Sequence, residues 1–217
     1  MLVSLSVRPA GAAAPQPVDR VALIEGVGIA GDRHADPSSP RQLLLASASV
    51  YADLALPALA LRENLLLDDD VAALPSGTVL RIGDQALVRL MFACEACGQL
   101  DRHGAGLAKR IGARRGVLAR VVTGGVVCAG DAVEPLGQRF PAWSDDWRAR
   151  IVQVLDAAPS DTVIGYADLA RMAGIQTSYC RAFPSLLRKL GPRYAARAIA
   201  ARAVSPLPRW HGPGLFE

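Results

Sequence analysis

Only 5% of the 217 residues are aromatic, and the chain has just four cysteines and three histidines. No apolar run approaches the ~20 residues needed to span a bilayer. The opening stretch MLVSLSVRPAGAAAPQPVDR has no basic region ahead of a long apolar segment, which argues against a signal peptide. These absences predict a soluble, cytoplasmic protein with no membrane partner. Four unevenly spaced cysteines in a chain of this length do not make a disulfide framework, and a reducing compartment leaves them as thiols. Neither a flavin-binding nor an iron–sulfur motif is present. Apolar residues make up 51% of the chain, enough for one or two aliphatic cores.

Charge divides the sequence near QRFPAWSDD. Residues 1–140 carry 14 basic and 14 acidic side chains, and residues 141–217 carry 10 against 6, so the whole excess of +4 lies in the second part. A basic half is a candidate for a polyanionic partner. Periodicity changes at the same place. The first part has short β-rich runs with turns expected at Ile82-Gly83-Asp84-Gln85 and Thr123-Gly124-Gly125, the pattern of a barrel or sandwich. ASVYADLALPALALREN reads as a helix interrupted at Pro57, and GLAKRIGARRG as a short helix ended by glycine.

The second part reads as helices. Ser144 is placed to cap a helix whose face is Trp147, Ile151, Val154, Leu155 and Ala158. YADLARMAG gives a short helix stopped by Gly174. In TSYCRAFPSLLRKLG, Ala182, Leu186, Leu187 and Leu190 share a face. Because a proline inside a helix costs about 3 kcal/mol, this helix is expected to begin at Phe183 with Pro184 in its first turn. Two short helices around a glycine turn form a helix-turn-helix candidate.

The chemistry-bearing stretch is FACEACGQLDRHG, in which Cys94 and Cys97 stand three apart and His103 follows six residues later. A closed zinc site needs about four ligands, and no second Cys-x-x-Cys completes one. A thioredoxin-like pair needs a βαβ setting that the β-rich surroundings do not offer. A nucleophile and a soft thiolate ligand for a transition metal both stay open, and Cys94 also reads as a small buried hydrophobe. In GDRH, Arg33 and His34 are two cationic donors in an apolar segment and call for an anion or a carboxylate partner, with Asp32 available to close a turn. Cys128, inside a strand run, reads as a small hydrophobe.

GIAGDRHA, RQLLLAS, LRENLLLD, LPSGTVLRIGD, FACEACGQLD and RRGVLARVVTGGVVCAGDAV occur in the order seen in the MOSC family, named for the C-terminal domain of molybdenum cofactor sulfurase, and the resemblance covers roughly residues 3–136. It implies a closed β-barrel with short helices and a cysteine, Cys97 by position, that ligates molybdenum or carries sulfur. It also implies molybdenum cofactor (molybdopterin) as the ligand. Arg33, His34, Arg41, Asn64, Arg114 and Arg115 are the polar residues of the matching motifs that would hold it. Some members reduce N-hydroxylated compounds, which implies an external electron donor; the alternative implies a sulfur donor protein.

Residues 145–211 resemble the DNA-binding domain of alkylguanine-DNA alkyltransferases. PRWHG stands where that family has Pro-Cys-His-Arg, with Trp210 in the cysteine's place, as in the alkyltransferase-like proteins that bind alkylated guanine without removing the alkyl group. The resemblance implies a winged helix in which Tyr166 presses on a phosphate, Arg181 fills the base stack, and Trp210 and His211 border the base pocket. DNA or a modified purine would then be the partner, and no alkyl transfer is expected without the cysteine. Arg209 between Pro208 and Trp210 and the long GPRYAARAIAARAVSPL segment depart from the family pattern. The whole is read as a mixed fold: a MOSC-like β-barrel domain over residues 1–136, a linker over 137–144, and a small α-helical winged-helix-like domain over 145–217. A molybdenum-dependent oxidoreductase is one reading, and a non-enzymatic sensor of alkylated or modified DNA with the barrel as scaffold is the other.

Overall fold

A computed structural model describes residues 1–217. The chain divides into two compact units, Met1–Pro37 with Arg41–Trp143, and Ser38–Pro40 with Ser144–Glu217.

The first unit holds strands β1 (Leu2–Val7), β2 (Gln16–Val18), β3 (Arg20–Ile24), β4 (Gly28–Ile29), β5 (Leu43–Ser47), β6 (Leu65–Leu67), β7 (Thr78–Ile82), β8 (Ala86–Ala93), β9 (Val117–Thr123), β10 (Gly125–Cys128) and β11 (Val133–Gln138). Eight of them form a curled sheet in the order β11-β7-β8-β9-β5-β6-β1-β2. The sheet is a half-barrel and not the closed barrel expected, since its end strands β11 and β2 do not pair with each other. β3, β4 and β10 make a separate sheet whose Val21, Leu23, Ile29 and Val127 join the same core as Leu2, Leu45, Leu65, Leu90 and Val121.

The turn at Gly83-Asp84-Gln85 joins β7 to β8 as expected. The Gly124-Gly125 turn does not make a hairpin: β9 pairs with β8 and β5, while β10 leaves to pair with β3. A side chain at Gly124 would stand 2.8 Å from the Leu23 carbonyl oxygen, so glycine is what lets the corner approach β3 closely enough to change sheets. Between the parallel strands β5 and β6 runs helix α1 (Ala48–Leu54), which ends before Pro57. Helix α2 (Leu107–Ile111) passes through a 3-10 turn at Gly112–Arg115 to Gly116.

A second core cluster of Ala46, Val50, Leu61, Leu100, Leu107 and Ile111 lies beneath α1, α2 and the 3-10 segment Gly98–His103. Leu61 comes from the loop after α1 and Leu100 from the 3-10 segment, so both segments are anchored in this one cluster.

The second unit contains α3 (Trp147–Ala157), β12 (Ile164–Gly165), α4 (Tyr166–Met172), a 3-10 segment Thr177–Ala182, α5 (Phe183–Leu190), α6 (Pro192–Ala195) and β13 (Ala198–Ile199). Helix α5 begins at Phe183 with Pro184 in its first turn, where the missing N–H costs nothing. Two details differ from expectation. The cap of α3 is Asp146, whose carboxylate accepts the Arg148 N–H at 3.0 Å, while Ser144 Oγ accepts the Asp146 N–H instead. On α5 the inward face is led by Phe183 and Leu187, and Ala182 is exposed, because the 3-10 turn before the helix rotates Ala182 out of the helical period. β12 and β13 pair in parallel, and Val163 bridges to Arg209.

No helix is long and apolar enough to cross a membrane.

Candidate functional site

The first unit's polar residues gather where the loops after β1, β4 and α1 meet the 3-10 segment that follows Cys97. Asp32 is the hub, with its carboxylate fully covered. It accepts the backbone N–H groups of Arg8 and His34, both at 2.8 Å, the His34 imidazole Nδ1–H at 3.1 Å and the Asn64 amide at 3.1 Å. Burial works against its ionisation, but the hydrogen bonds from His34 and Arg8 and the His34 charge outweigh it and hold its pKa below the ordinary carboxylate value.

Asn64 is buried and, besides its bond to Asp32, makes two further side-chain links, to the carbonyl of Ser6 and, through its side-chain oxygen, to the N–H of Leu44. It clasps β1 to β5, so its part is to hold the loop that carries Asp32. The same loop is fastened at its ends by the buried Arg120, which donates to the carbonyls of Gly26 and Pro37 at 3.2 and 3.1 Å, and by Gln42.

Around this hub stand cations. Arg8 donates to the Ala12 and Ala13 carbonyls, and Arg62 donates to Ala13 O at 2.6 Å and to Gln99 Oε1 at 3.2 Å. The Arg62 Nε–H is buried with no hydrogen-bond partner. Arg62 also has φ +61, a left-handed conformation that costs a non-glycine residue roughly 1 kcal/mol. Desolvation, followed by the positive charges of Arg8, Arg102, Arg33 and Arg115, lowers its pKa. Desolvation and Arg33 likewise lower that of Arg8, against the pull of Asp32. Four arginines thus act on Arg62 at a place where the Asp32 carboxylate is already engaged by four donors and that of Glu63 is bonded to Tyr51. Such an arrangement is electrostatically complementary to a polyanion.

The cysteine loop is tied to the same place. Arg115 is buried and donates to the carbonyls of Glu95 and Leu61, both at 3.1 Å, which joins the loop before Cys97 to the segment before Arg62. Below it the Tyr51 hydroxyl donates to buried Glu63 at 2.6 Å, and desolvation raises the pKa of both groups. Gly116 sets the register, for a side chain there would lie 2.3 Å from the Leu45 carbonyl oxygen. Its own carbonyl accepts the Cys94 N–H at 2.8 Å. Cys94 is consequently buried at the end of β8, whereas Cys97 is exposed at the head of the 3-10 segment that brings Gln99 and Arg102 to Arg62.

His103 is the acceptor of an Arg102 N–H, and no group of three or more His, Cys, Asp or Glu side chains is placed to hold a metal ion. The zinc arrangement considered from the sequence therefore has no ligand set, and Cys97 is a single soft donor. Cys128 is half-buried at the end of β10.

Of the candidates in this unit, Arg33, His34, Asn64, Arg115 and Cys97 are brought together, although Asn64 and Arg115 spend their donors on the protein itself. Arg114 forms an ion pair with Asp53 on α1 at 2.8 Å, and its guanidinium is engaged there. Arg41 is half-buried beside Gln42. Arg8, Arg62 and Arg102 were missed by sequence reading. Arg62 stands in the quoted motif LRENLLLD and was within reach; Arg8 and Arg102 had no local signal.

In the second unit Tyr166 is half-buried and edge-on to Phe183, with ring centroids 5.5 Å apart, and Arg181 is exposed in the 3-10 turn, bonded to Ser178 O. Cys180 Sγ donates to the Tyr166 carbonyl, and burial pushes its thiol pKa up, the opposite of an activated thiolate. Trp210 is 6% exposed, its N–H donating to the Val163 carbonyl at 2.8 Å. Its ring is part of the unit's core and is not presented as a stacking platform. His211 is exposed and paired with Asp168 at 3.1 Å, which also holds Arg171 at 3.2 Å.

Comparison with known proteins bears on the first unit most directly. Residues 33–134 match the MOSC domain. That span contains Arg33, His34, Arg62, Cys97, Arg102 and Arg115, so the MOSC match and the arginine cluster coincide. Among solved structures, a hypothetical protein shares 23% identity with a TM-score of 0.55, covering 88% of this chain and 90% of its own. YiiM from Escherichia coli shares 22% at a TM-score of 0.51, covering 88% and 93%. The YUAD protein from Bacillus subtilis shares 17% at 0.54, covering 61% of this chain and 94% of its own. At these identities the likeness is one of fold. Because 88% exceeds the first unit's share of the chain, two of the three alignments reach into the second unit. No curated protein matches.

Proposed function

We propose that the first unit binds molybdenum cofactor and reduces N-hydroxylated compounds, with electrons from an outside reductase. The observation that carries this reading is the cluster of Arg8, Arg33, Arg62, Arg102 and Arg115 built against the Cys97 segment. The donor set suits the group: guanidinium groups for the pterin phosphate, a buried Arg62 N–H still without an acceptor, and a thiol for a soft metal. Bound there, the cofactor supplies two-electron reduction of an N–O bond.

The chain's own residues would do the rest. Arg62 and Arg8 would hold the phosphate, Arg115 keeps the Cys97 loop in place through its bonds to Glu95 and Leu61, and Cys97 would be the thiolate ligand. Cys94, covered by the core, takes no part. Metal analysis of protein from a molybdate-fed host tests the reading, with stoichiometric molybdenum and pterin expected. Zinc in their place, or neither, would sink it. Transfer of sulfur through an exposed Cys97 uses the same residue; a persulfide on Cys97 in a molybdenum-free protein would favour it.

The second unit we read as a nucleic-acid-binding module, favoured by exposed Arg181 in the turn ahead of α5, followed by exposed Arg188 and Lys189 on that helix. Tyr166, packed on Phe183 at the start of α4, would back the phosphate side of this face. With Trp210 in the core and Cys180 bonded inward, neither an aromatic platform nor an alkyl acceptor is offered, so any preference for a modified purine has to come from Arg181 and His211. Anisotropy of a short labelled duplex with the full chain at two salt concentrations tests this, with affinity falling steeply as salt rises.

A further inference from the structure

The hub of the first unit holds one group whose arrangement the cofactor alone does not require. His34 stands at the rim of the arginine cluster with 47% of its side chain exposed, yet its Nδ1 is directed at a carboxylate that is fully covered. Asp32 is not free to follow the imidazole, because three other donors, from Arg8, the His34 backbone and Asn64, fix its two oxygens. The pair therefore fixes the imidazole: the Nδ1–H is committed to Asp32 and Nε2 is left as the atom that exchanges protons. This is the carboxylate–imidazole geometry of an oriented general acid.

We propose that His34 is the proton donor of this site, held by Asp32, with Nε2–H delivering to the oxygen that leaves an N-hydroxylated substrate. The inference rests on the reductase reading above. In the balanced step, N–OH takes two electrons and two protons and gives N–H and water. The two electrons come one at a time, through the bound cofactor, from two molecules of a one-electron donor outside the chain. The N–O bond breaks, its oxygen takes the His34 proton, solvent supplies the second proton to nitrogen, and His34 is reprotonated from solvent.

No other group in the cluster suits the part. The arginines do not release protons at working pH. His103 spends Nε2 accepting from Arg102, Glu63 is buried against Tyr51, and Cys97 is committed to the metal. Asp32 stays ionised throughout, since the hydrogen bonds that converge on it hold its pKa low. The ring thereby keeps its orientation throughout.

Three measurements test the role. Nitrogen chemical shifts of His34 in the cofactor-free protein should report the Nδ1–H form of the neutral ring; a ring found mainly as Nε2–H overturns the proposal whatever the activity. In cofactor-loaded protein reduced with a viologen, His34→Gln should lower kcat for an amidoxime about 100-fold or more. Its molybdenum content should equal the wild type's and its KM should move little. Added imidazole should restore part of the rate of His34→Ala. Wild-type turnover in His34→Gln, or activity lost only in step with molybdenum, overturns the proposal while leaving the reductase reading standing. A molybdenum-free, inert wild-type protein removes the reductase reading, and this inference with it.

Discussion

The two units use arginine in opposite ways, and their net charges conceal it. The second carries the whole excess of +4, yet several of its cations are paired with acids at the surface: Arg148 with Asp146, Arg171 with Asp168, Arg193 with Asp156. The first is neutral over residues 1–140 but concentrates Arg8, Arg33, Arg62, Arg102 and Arg115 at one place and spends several acids elsewhere, Asp53 on Arg114 and Glu134 on Arg81. Charge summed along a sequence is thus a poor guide to local potential, which depends on which charges the fold sets within a few ångströms of each other.

The sharpest way to break this contrast is to remove the donor at its centre. Cys97→Ala should reduce bound molybdenum about tenfold or more, whereas Cys94→Ala should leave it largely intact, because only Cys97 faces solvent beside the arginines. Metal analysis of both variants decides it, and equal losses would mean a two-cysteine site.

Next in size is the buried Arg150 of α3, 1% exposed, which donates to the carbonyls of Ala173, Ser144 and Asp145. Arg150→Met leaves those acceptors buried and unmet, and should cost about 2–4 kcal/mol by denaturant unfolding. A variant as stable as the wild type would show that these carbonyls find other donors.

Arg62→Met should weaken binding of pyrophosphate to the cofactor-free protein by about tenfold, a loss of charge-assisted hydrogen bonds, while Arg114→Met, paired with Asp53, should change it little. Isothermal titration compares the two, and equal effects would dissolve the distinction between cluster and surface arginines. A smaller change is expected for Arg181→Ala in the second unit: DNA affinity should fall and the slope of log affinity against log salt should shallow by about 1, as for one lost phosphate contact.

The smallest expected effect is on pH dependence. Asp32 has a folded-state pKa below its ordinary value, so it contributes stability that is present above that ordinary value and is lost as pH falls through the depressed one. Asp32→Asn should flatten this acid-side decline in melting temperature while lowering stability at neutral pH. An unchanged acid slope would mean that another carboxylate carries it.

Much of this was legible in the residues. The hairpin at Gly83-Asp84-Gln85, the interruption at Pro57 and the start of α5 at Phe183 follow from turn chemistry and proline geometry, while the choice of Cys97 over Cys94 came from the MOSC resemblance. GDRH indicated that Arg33 and His34 needed an anion or a carboxylate, and one such partner is two residues from His34, in Asp32. Trp210 misled: its motif position suggested a base pocket, but a large apolar ring stabilises most when removed from water, and there it is buried. For Cys180, burial and not the neighbouring Arg181 decides, and its thiol pKa is raised.

The sequence by itself determined local events: the turn at Gly83-Asp84-Gln85 and where helices begin and stop. These depend on φ restriction, capping and side-chain period within a few residues. Tertiary structure alone decided that β10 leaves β9 for β3, that the half-barrel stays open, and that Arg8, Arg62 and Arg102, drawn from three distant loops, share one place. Sheet exchange and charge clustering depend on approaches between segments tens of residues apart, and nothing in a residue's own neighbourhood records which distant backbone its side chain will meet.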